Sequence, residues 1–543
     1  MTLRDARALV NAFHSAGVAY VFGLPGSQNV ELFEALRASP LETVVSCNEM
    51  GAAFMANGYN RASGRVAGVA TIPGPGITWA MTGITEAWLD SAALIHVTRQ
   101  RKVAPGAAYQ LQSIDQEAML RPVTKAVLGA DGATPDQIAY VATQLAQSGE
   151  PGPVTVQIDA PSSTADYPEP IPLDDGKVSE IRALLAGSKR VVVMAGQGAA
   201  GASEAVTQLV ELLEAAAVST TSGRGVVPED HPRSLGYEMA GTEAGPLNDL
   251  ISSADLVLAL GCKFSHNGSR GFGLVIPPEK LIHIDASAPV IGANYPARIG
   301  LVARCEEAVP SLLAQLEPKS GWAADELEAW RSRGRAASWP DEPEPVLAGR
   351  VSAADLLSGL RATLPRDAIV VTDSGRHQML VRRWFPVLAE RGLIVPSNLQ
   401  SMGFAIPAAI GARLAAPQRR VVAVLGDGSL LMSGFELLTA KKLAIDLTVI
   451  VINDGAYGLI KAEQFADYGV SSGTELATPH LGSLADALGI NFVRIERGDP
   501  AGQFAAALAL RGVTLVEVPA REARAMHLAR AKARLRRLLR RGR

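Results

Sequence analysis

The chain has 543 residues, enough for about three to four domains of ordinary size, with 48% hydrophobic, 19% charged and 5% aromatic residues. That composition excludes a disordered, collagen-like or disulfide-stapled chain. Its three cysteines, Cys47, Cys262 and Cys305, lie far apart without a CxxC pair, which argues against zinc-ribbon chemistry and for a reducing, cytoplasmic location. The formal charge of −3 conceals a basic end: residues 521–543 carry ten Lys or Arg against the single acid Glu522, while the acidic remainder gives no electrostatic reason to expect DNA or RNA.

Met1-Thr2-Leu3-Arg4-Asp5 runs directly into an amphipathic helix, without the basic and apolar regions of a signal peptide. Over residues 1–165, helical patterns alternate with apolar runs at 18–24, 43–46, 66–72, 94–98 and 154–158, which predicts a parallel sheet covered by helices. The longest uncharged run, 66–85, is about long enough to span a bilayer, but Pro73-Gly74-Pro75-Gly76 breaks it. It reads as strand, loop and helix, not as a membrane span. A Pro- and Asp-rich connector at 162–175 precedes a second unit, 185–317, with strands expected at 190–194, 217–220, 256–260 and 281–284. The charged, Pro-bearing stretch 317–345 reads as a linker to a third α/β unit, 349–520. The expected fold class is therefore three doubly wound parallel-sheet α/β domains and a basic tail, 521–543. The tail reads as a solvated, partly helical appendage, with RNA or an anionic membrane as the alternative contact.

The sharpest chemical signal lies in the third unit. Val421-Val422-Ala423-Val424-Leu425 leads into Gly426-Asp427-Gly428-Ser429, with a helix expected from about residue 434, and a second apolar run, 447–452, ends in Asn453-Asp454-Gly455. The right-handed crossover of such a βαβ unit brings Asp427 and Asn453 to the carboxyl ends of parallel strands, where open α/β sheets take ligands. A carboxylate, an amide oxygen and a nearby backbone carbonyl, that of Gly455, suit Mg2+, which prefers six oxygens and completes its shell with phosphate and water. The glycines let backbone N–H groups approach those phosphates. Read alone, Gly-Asp-Gly is also an ordinary strand-to-helix turn with Asp427 as its N-cap.

Gly426-Asp427-Gly428, with Asn453 placed 26 residues after the aspartate, resembles the diphosphate and Mg2+ motif of thiamine-diphosphate-dependent enzymes. Leu24-Pro25-Gly26, Asn48-Glu49-Met50-Gly51-Ala52-Ala53 with Gly58-Tyr59, and Gly74-Pro75-Gly76 extend the resemblance. So do Ser401-Met402-Gly403-Phe404 with Pro407-Ala408-Ala409, and His283-Ile284-Asp285; together they cover residues 3–520 in order. The group resembled is that of acetolactate synthase, pyruvate oxidase and benzoylformate decarboxylase. The resemblance implies that 1–165 is a pyrimidine-binding domain and 349–520 a diphosphate-binding domain, with thiamine diphosphate and Mg2+ as cofactors. It makes Glu49 the glutamate that hydrogen-bonds the aminopyrimidine nitrogen. Val44, Val45, Cys47, Met50, Ala52 and Ala53 around it supply no opposite charge, so a raised pKa and a shared proton are expected. Met402 resembles the apolar residue that props the bent cofactor, and Gln400 stands where synthases often have Gly. Ser374-Gly375-Arg376-His377-Gln378 resembles the turn that meets the diphosphate, where Arg376 adds a positive charge. Cofactor contacts are implied as well for Pro25, Gly26, Ser27, Gly76, Gly375, His377, Gly426, Gly428, Ser429, Asn453, Gly455, Ala456 and Tyr457.

Gln112, thirteen residues before Lys125, falls where synthases and pyruvate oxidases place a Gln beside the reacting carbon. None of the eight histidines is adjacent to another, unlike the His pair of pyruvate decarboxylases, and Ile72 is apolar near where benzoylformate decarboxylases have a His. Ser27, by contrast, is similar to their substrate-facing serine. The resemblance thus implies decarboxylation of a 2-keto acid, pyruvate being the expected donor, with carboligation. Simple decarboxylation to an aldehyde is the alternative, and a non-catalytic binding homologue is the alternative of another class. In the central unit Gly196-Gln197-Gly198-Ala199-Ala200-Gly201 has the form GxGxxG, but the next strand carries no Asp or Glu for a ribose. Residues 262–270 also depart from the Arg-Phe-Asp-Asp-Arg pattern of flavin-containing synthases, so FAD is the less favoured expectation. Because Glu49 and Asp427 lie in domains that meet across subunits in this family, a homodimer or dimer of dimers is expected.

Overall fold

The computed structural model describes residues 2–100, 110–161, 171–236, 244–337, 346–347, 351–496 and 498–521. The connector at 162–170 and the basic tail beyond Arg521 lie outside these residues. The first sheet contains β1 (Tyr20–Gly23), β2 (Glu42–Val45), β3 (Ala67–Ala70), β4 (Leu94–Arg99), β5 (Ala126–Asp131) and β6 (Pro153–Pro161), in the order β2-β1-β3-β4-β6-β5. The second contains β7 (Val191–Ala195), β8 (Ala216–Ser219), β9 (Leu256–Leu260), β10 (Leu281–Asp285) and β11 (Ile299–Val302), in the order β11-β10-β9-β7-β8. The third contains β12 (Val346–Leu347), β13 (Ile369–Thr372), β14 (Leu393–Ile394), β15 (Val421–Gly426), β16 (Leu447–Asn453), β17 (Asn491–Arg494) and β18 (Val513–Arg521). Its order is β12-β18-β16-β15-β13-β14, with β17 also on β18. All ladders are parallel except that of the two-residue β12, which joins the end of β18 antiparallel. Helices cover both faces, so β7, β9 and the first five residues of β15 are buried throughout and read as unbroken apolar runs.

Two expectations need correction. The stretch 317–345 contains the helix Ala324–Ala337, and Trp322 before it is fully buried, donating its Nε1–H to the Val191 carbonyl at 2.9 Å. Trp322 and Leu327 dock on the central sheet, but they are too sparse among charged residues to show as a helical period. In the third unit the helix begins at Asp427, not near 434: Asp427–Ser433 is followed by a second helix, Glu436–Lys442. Gly426 is the N-cap, and Asp427 is not, so the reading of Asp427 as a capping side chain fails.

The first and third sheets share one topology, β2-β1-β3-β4-β6-β5 matching β14-β13-β15-β16-β18-β17 strand for strand. The helices after β2 and β14, Glu49–Ser63 and Ala405–Ala415, pack directly on each other. Gly58 meets the Ala408 backbone and Gly411 meets the Met55 backbone, while the Phe54 and Phe404 rings stand edge to face at 5.3 Å. A β-carbon at either glycine would strike backbone, so the close approach requires glycine. One apolar core therefore runs through both units.

Candidate active site

In the third sheet the strand order reverses between β13 and β15, and the segments leaving these strands define the ligand crevice of such folds. After β13 comes Ser374-Gly375-Arg376-His377, where Gly375 has a φ of +138°. The His377 imidazole is buried, which lowers its pKa to about 4, although a hydrogen bond to the Asp373 backbone pulls the other way. Its Nε2 is buried without a protein partner. The ring lies over the start of the Asp427 helix: a β-carbon at Gly426 would be 3.1 Å from Nδ1. Arg376 lies close enough to Asp454 to favour its charged form.

Asp427 leaves β15 and Asn453 ends β16, and the pairing of Gly426 with Ile452 puts the two side by side. Asp427 is 1% exposed, and burial raises its pKa. Its Oδ2 accepts the Thr478 hydroxyl at 2.8 Å. Asn453 donates Nδ2–H to Glu517 at 2.8 Å, which turns its amide oxygen the other way and fixes its role as an acceptor. Burial and the Asp427 charge hold the Asp454 pKa up to about 6. Gly455, φ +70°, gives its carbonyl to the Leu476 N–H at 2.8 Å and favours the Asp427 carboxylate through its own backbone. Ala456 N–H donates to Asp454, and Tyr457 packs over Gly428, where a β-carbon would be 2.8 Å from the ring. The Ser429 hydroxyl donates to Asp373 at 2.8 Å and is buried there.

Among the described residues no group of three or more His, Cys, Asp or Glu forms a metal cage. An oxygen pair, Asp427 and Asn453, with a repelled second carboxylate nearby suits a hard divalent cation that keeps open positions for phosphate and water. The orphaned His377 Nε2 and the glycine-lined cradle fit a diphosphate beside it.

At the first sheet's edge, Glu49 opens the helix after β2, behind an Asn48 cap that accepts the Gly51 N–H at 2.7 Å. Burial raises the Glu49 pKa, against a backbone hydrogen bond that lowers it. A β-carbon at Gly76 would be 3.2 Å from the Glu49 carboxylate, and one at Gly74 would be 2.9 Å from the Gln112 carbonyl. Gln112 thus lies against Gly74, two residues from the glycine that abuts Glu49. Its φ is +58° and its buried Oε1 has no protein partner. The Pro25-Gly26-Ser27 turn is stapled by Asn29, which accepts the Gly26 N–H at 2.7 Å, and Gly26 abuts Ile72. Ser27 is exposed. Met402 is half-buried, and Gly403 after it lies near both Met50 and Met432.

Four buried or half-buried groups that no local motif revealed hold this arrangement. Asp373 accepts N–H groups from Ser374, Gly403 and Ala405 as well as the Ser429 hydroxyl, and burial still raises its pKa to about 6. Glu436 accepts the Cys47 N–H at 3.0 Å and so steadies the approach to Glu49 from the third unit. Thr478 and Glu517 orient Asp427 and Asn453.

In the central unit the GxGxxG glycines serve packing. Gly196 and Gly198 lie against the Gly261 backbone, and the Glu306 carboxylate abuts Gly201. A cavity of about 340 Å³ lined by all three units, including Arg61, Gln197, Lys263, Asp285 and Arg391, lies nearby.

Three family models match the chain in order: the N-terminal TPP binding domain of thiamine pyrophosphate enzymes over residues 3–119, the central domain over 178–312 and the C-terminal TPP binding domain over 373–518. A probable acetolactate synthase large subunit of Methanocaldococcus jannaschii is 30% identical over 92% of this chain and 88% of its own length. The acetolactate synthase isozyme 1 large subunit of Escherichia coli is 30% identical over 86% and 85%, and the acetolactate synthase large subunit of Lactococcus lactis 29% over 90% and 88%. Matched over about nine-tenths of its length by these relatives, and domain by domain by the models, the chain belongs to the thiamine pyrophosphate enzyme family and is a thiamine-diphosphate-dependent enzyme.

Proposed function

We propose that the chain decarboxylates a 2-keto acid, with pyruvate as donor, and joins the retained carbon unit to a second carbonyl, as the names of its acetolactate synthase relatives suggest. The observation that carries carboligation is Gln112, whose buried amide oxygen has no partner and whose backbone abuts Gly74, two residues from the glycine beside Glu49. Bound thiamine diphosphate supplies a nucleophilic carbon and a sink for the electron pair that carbon dioxide leaves behind. Asp427 and Asn453 would hold its diphosphate through Mg2+, with His377 and Arg376 beside it. Glu49, kept protonated more readily than an ordinary carboxyl, holds a proton to share with the pyrimidine. Gln112 and Met402 confine the space next to the reacting carbon.

Ser27, exposed on the turn against Ile72, favours a second reading: release of an aldehyde without carboligation. Incubation with pyruvate, thiamine diphosphate and Mg2+ separates the two. Acetolactate or acetoin supports carboligation, acetaldehyde supports the second reading, and failure to release CO2 from any of pyruvate, benzoylformate and branched 2-keto acids contradicts both.

The working unit in this proposal is a homodimer. Leu431, Met432, Phe435 and Leu438, all on the helices that follow Asp427, are exposed apolar side chains suited to cover by a second copy. The free thiols Cys47, Cys262 and Cys305 suit a cytoplasmic setting, and among the described residues no helix is long and apolar enough to cross a membrane.

A further inference from the structure

The segment 395–403, which carries Met402, is held from three directions. Ser397 N–H donates to Asp90 at 3.0 Å, Ser401 N–H to Glu86 at 2.9 Å and Gly403 N–H to Asp373 at 3.0 Å. Within it Gln400 has a φ of +62°, a left-handed conformation that glycine takes freely and other L-residues avoid. Such strain persists only where the surroundings over-determine it, and here its side chain does so. Nε2–H donates to the Ser397 carbonyl at 2.9 Å, closing the loop on itself, and Oε1 accepts the Ser374 hydroxyl at 3.1 Å. Ser374 starts the turn that bears Gly375, Arg376 and His377. One amide therefore spans from that turn, with its orphaned His377 Nε2, to the loop that presents Met402. A glycine would remove the strain and both hydrogen bonds together.

We propose that Gln400 is a positioning residue whose side chain fixes the distance between the Ser374–Gly375 turn and the Met402 loop. This rests on the thiamine diphosphate reading of the site. With the brace in place, the loop keeps one height above the turn whether or not ligand is bound. Without it, the diphosphate anchors Asp427 and Asn453 are untouched but the loop is free to shift, so the loss falls on turnover rather than on cofactor affinity.

The test uses the full chain and the variants Gln400→Gly and Ser374→Ala. Amide hydrogen exchange of the cofactor-free proteins should show Ser397, Ser401 and Gly403 exchanging at least about fivefold faster in both variants, with the amides of β15 unchanged. With thiamine diphosphate and Mg2+, the Kd read by tryptophan fluorescence should stay within about threefold of wild type while kcat falls about tenfold or more. The double variant should lose no more than the worse single one, because both remove one link. Unchanged exchange with kcat within about twofold of wild type overturns the proposal, as does a fall in Tm alone; should Gln400→Gly not fold, Ser374→Ala decides by the same readings. If exchange quickens as expected but the wild-type chain binds no thiamine diphosphate, the brace stands and the proposed function falls.

Discussion

Asp427 is buried and Asp454 half-buried, burial raises the pKa of both, and the Asp427 charge adds to the rise at Asp454. A divalent cation relieves the cost of charging them, which is why Asp427 is expected to act through the ion rather than by touching phosphate. Asp427→Ala should weaken thiamine diphosphate binding by about 100-fold or more in calorimetric titration; unaltered affinity would place the metal elsewhere. Glu49 is the opposite case, a carboxyl raised by burial against the opposing pull of its own backbone hydrogen bond. Glu49→Gln keeps its size and one hydrogen bond but has no proton to share, so cofactor should still bind while kcat falls by about 100-fold or more. Steady-state kinetics with saturating cofactor decides, and near-normal turnover would remove Glu49 from the chemistry. Asp427 and Asn453 were legible because each ends an apolar run, whereas Glu49 was reached only through the family resemblance. Glu436 lies 389 residues from the Cys47 N–H it accepts, Glu517 64 from Asn453, and Thr478 51 from Asp427, and no local pattern carries information over such separations.

Among the elements, the helix Pro75–Leu89 joins the two sheet edges in a way open to a pH test. Its Glu86 is buried, accepts the Ser401 N–H, and is held up to about 8 by burial and by the Asp90 carboxylate. The folded chain keeps a proton there that the unfolded chain gives up near its ordinary value of 4.5. The stabilisation is complete below that value and is lost as pH rises toward 8, by at most about 1.4 kcal/mol per pH unit. Glu86→Gln is neutral at every pH. Its Tm relative to wild type should therefore rise from pH 6 to pH 9; a constant difference would mean that Glu86 does not titrate in this window. The wholly apolar runs of β7, β9 and β15 were evident in the sequence because burial on both faces leaves no polar interruption. β5 and β11 were not, since glycine and half-exposed positions dilute Ala126–Asp131 and Ile299–Val302 below the apolar density of a recognisable run. The start of the helix at Asp427 was hidden by Gly428 and Ser429, poor helix formers held in place by Asp373 and the packing of Tyr457.

Taken as a whole molecule, two sheets of one topology pack through Glu49–Ser63 and Ala405–Ala415, and the exposed Leu431, Met432, Phe435 and Leu438 await cover. In the proposed homodimer, each site would take its Glu49 from one chain and its Asp427 from the other. Mixing Glu49→Gln chains with Asp427→Ala chains should then restore about one intact site per mixed dimer; mixed dimers shown to form but to lack activity would put both groups in one chain. Beneath this lies the claim that Asp427 and Asn453 bind thiamine diphosphate through a divalent ion. Calorimetric titration of thiamine diphosphate into the wild-type chain tests it most directly, with Mg2+ and then with EDTA. Binding that saturates with Mg2+ and is abolished by EDTA is the predicted result; equal binding in both, or none in either, would contradict it.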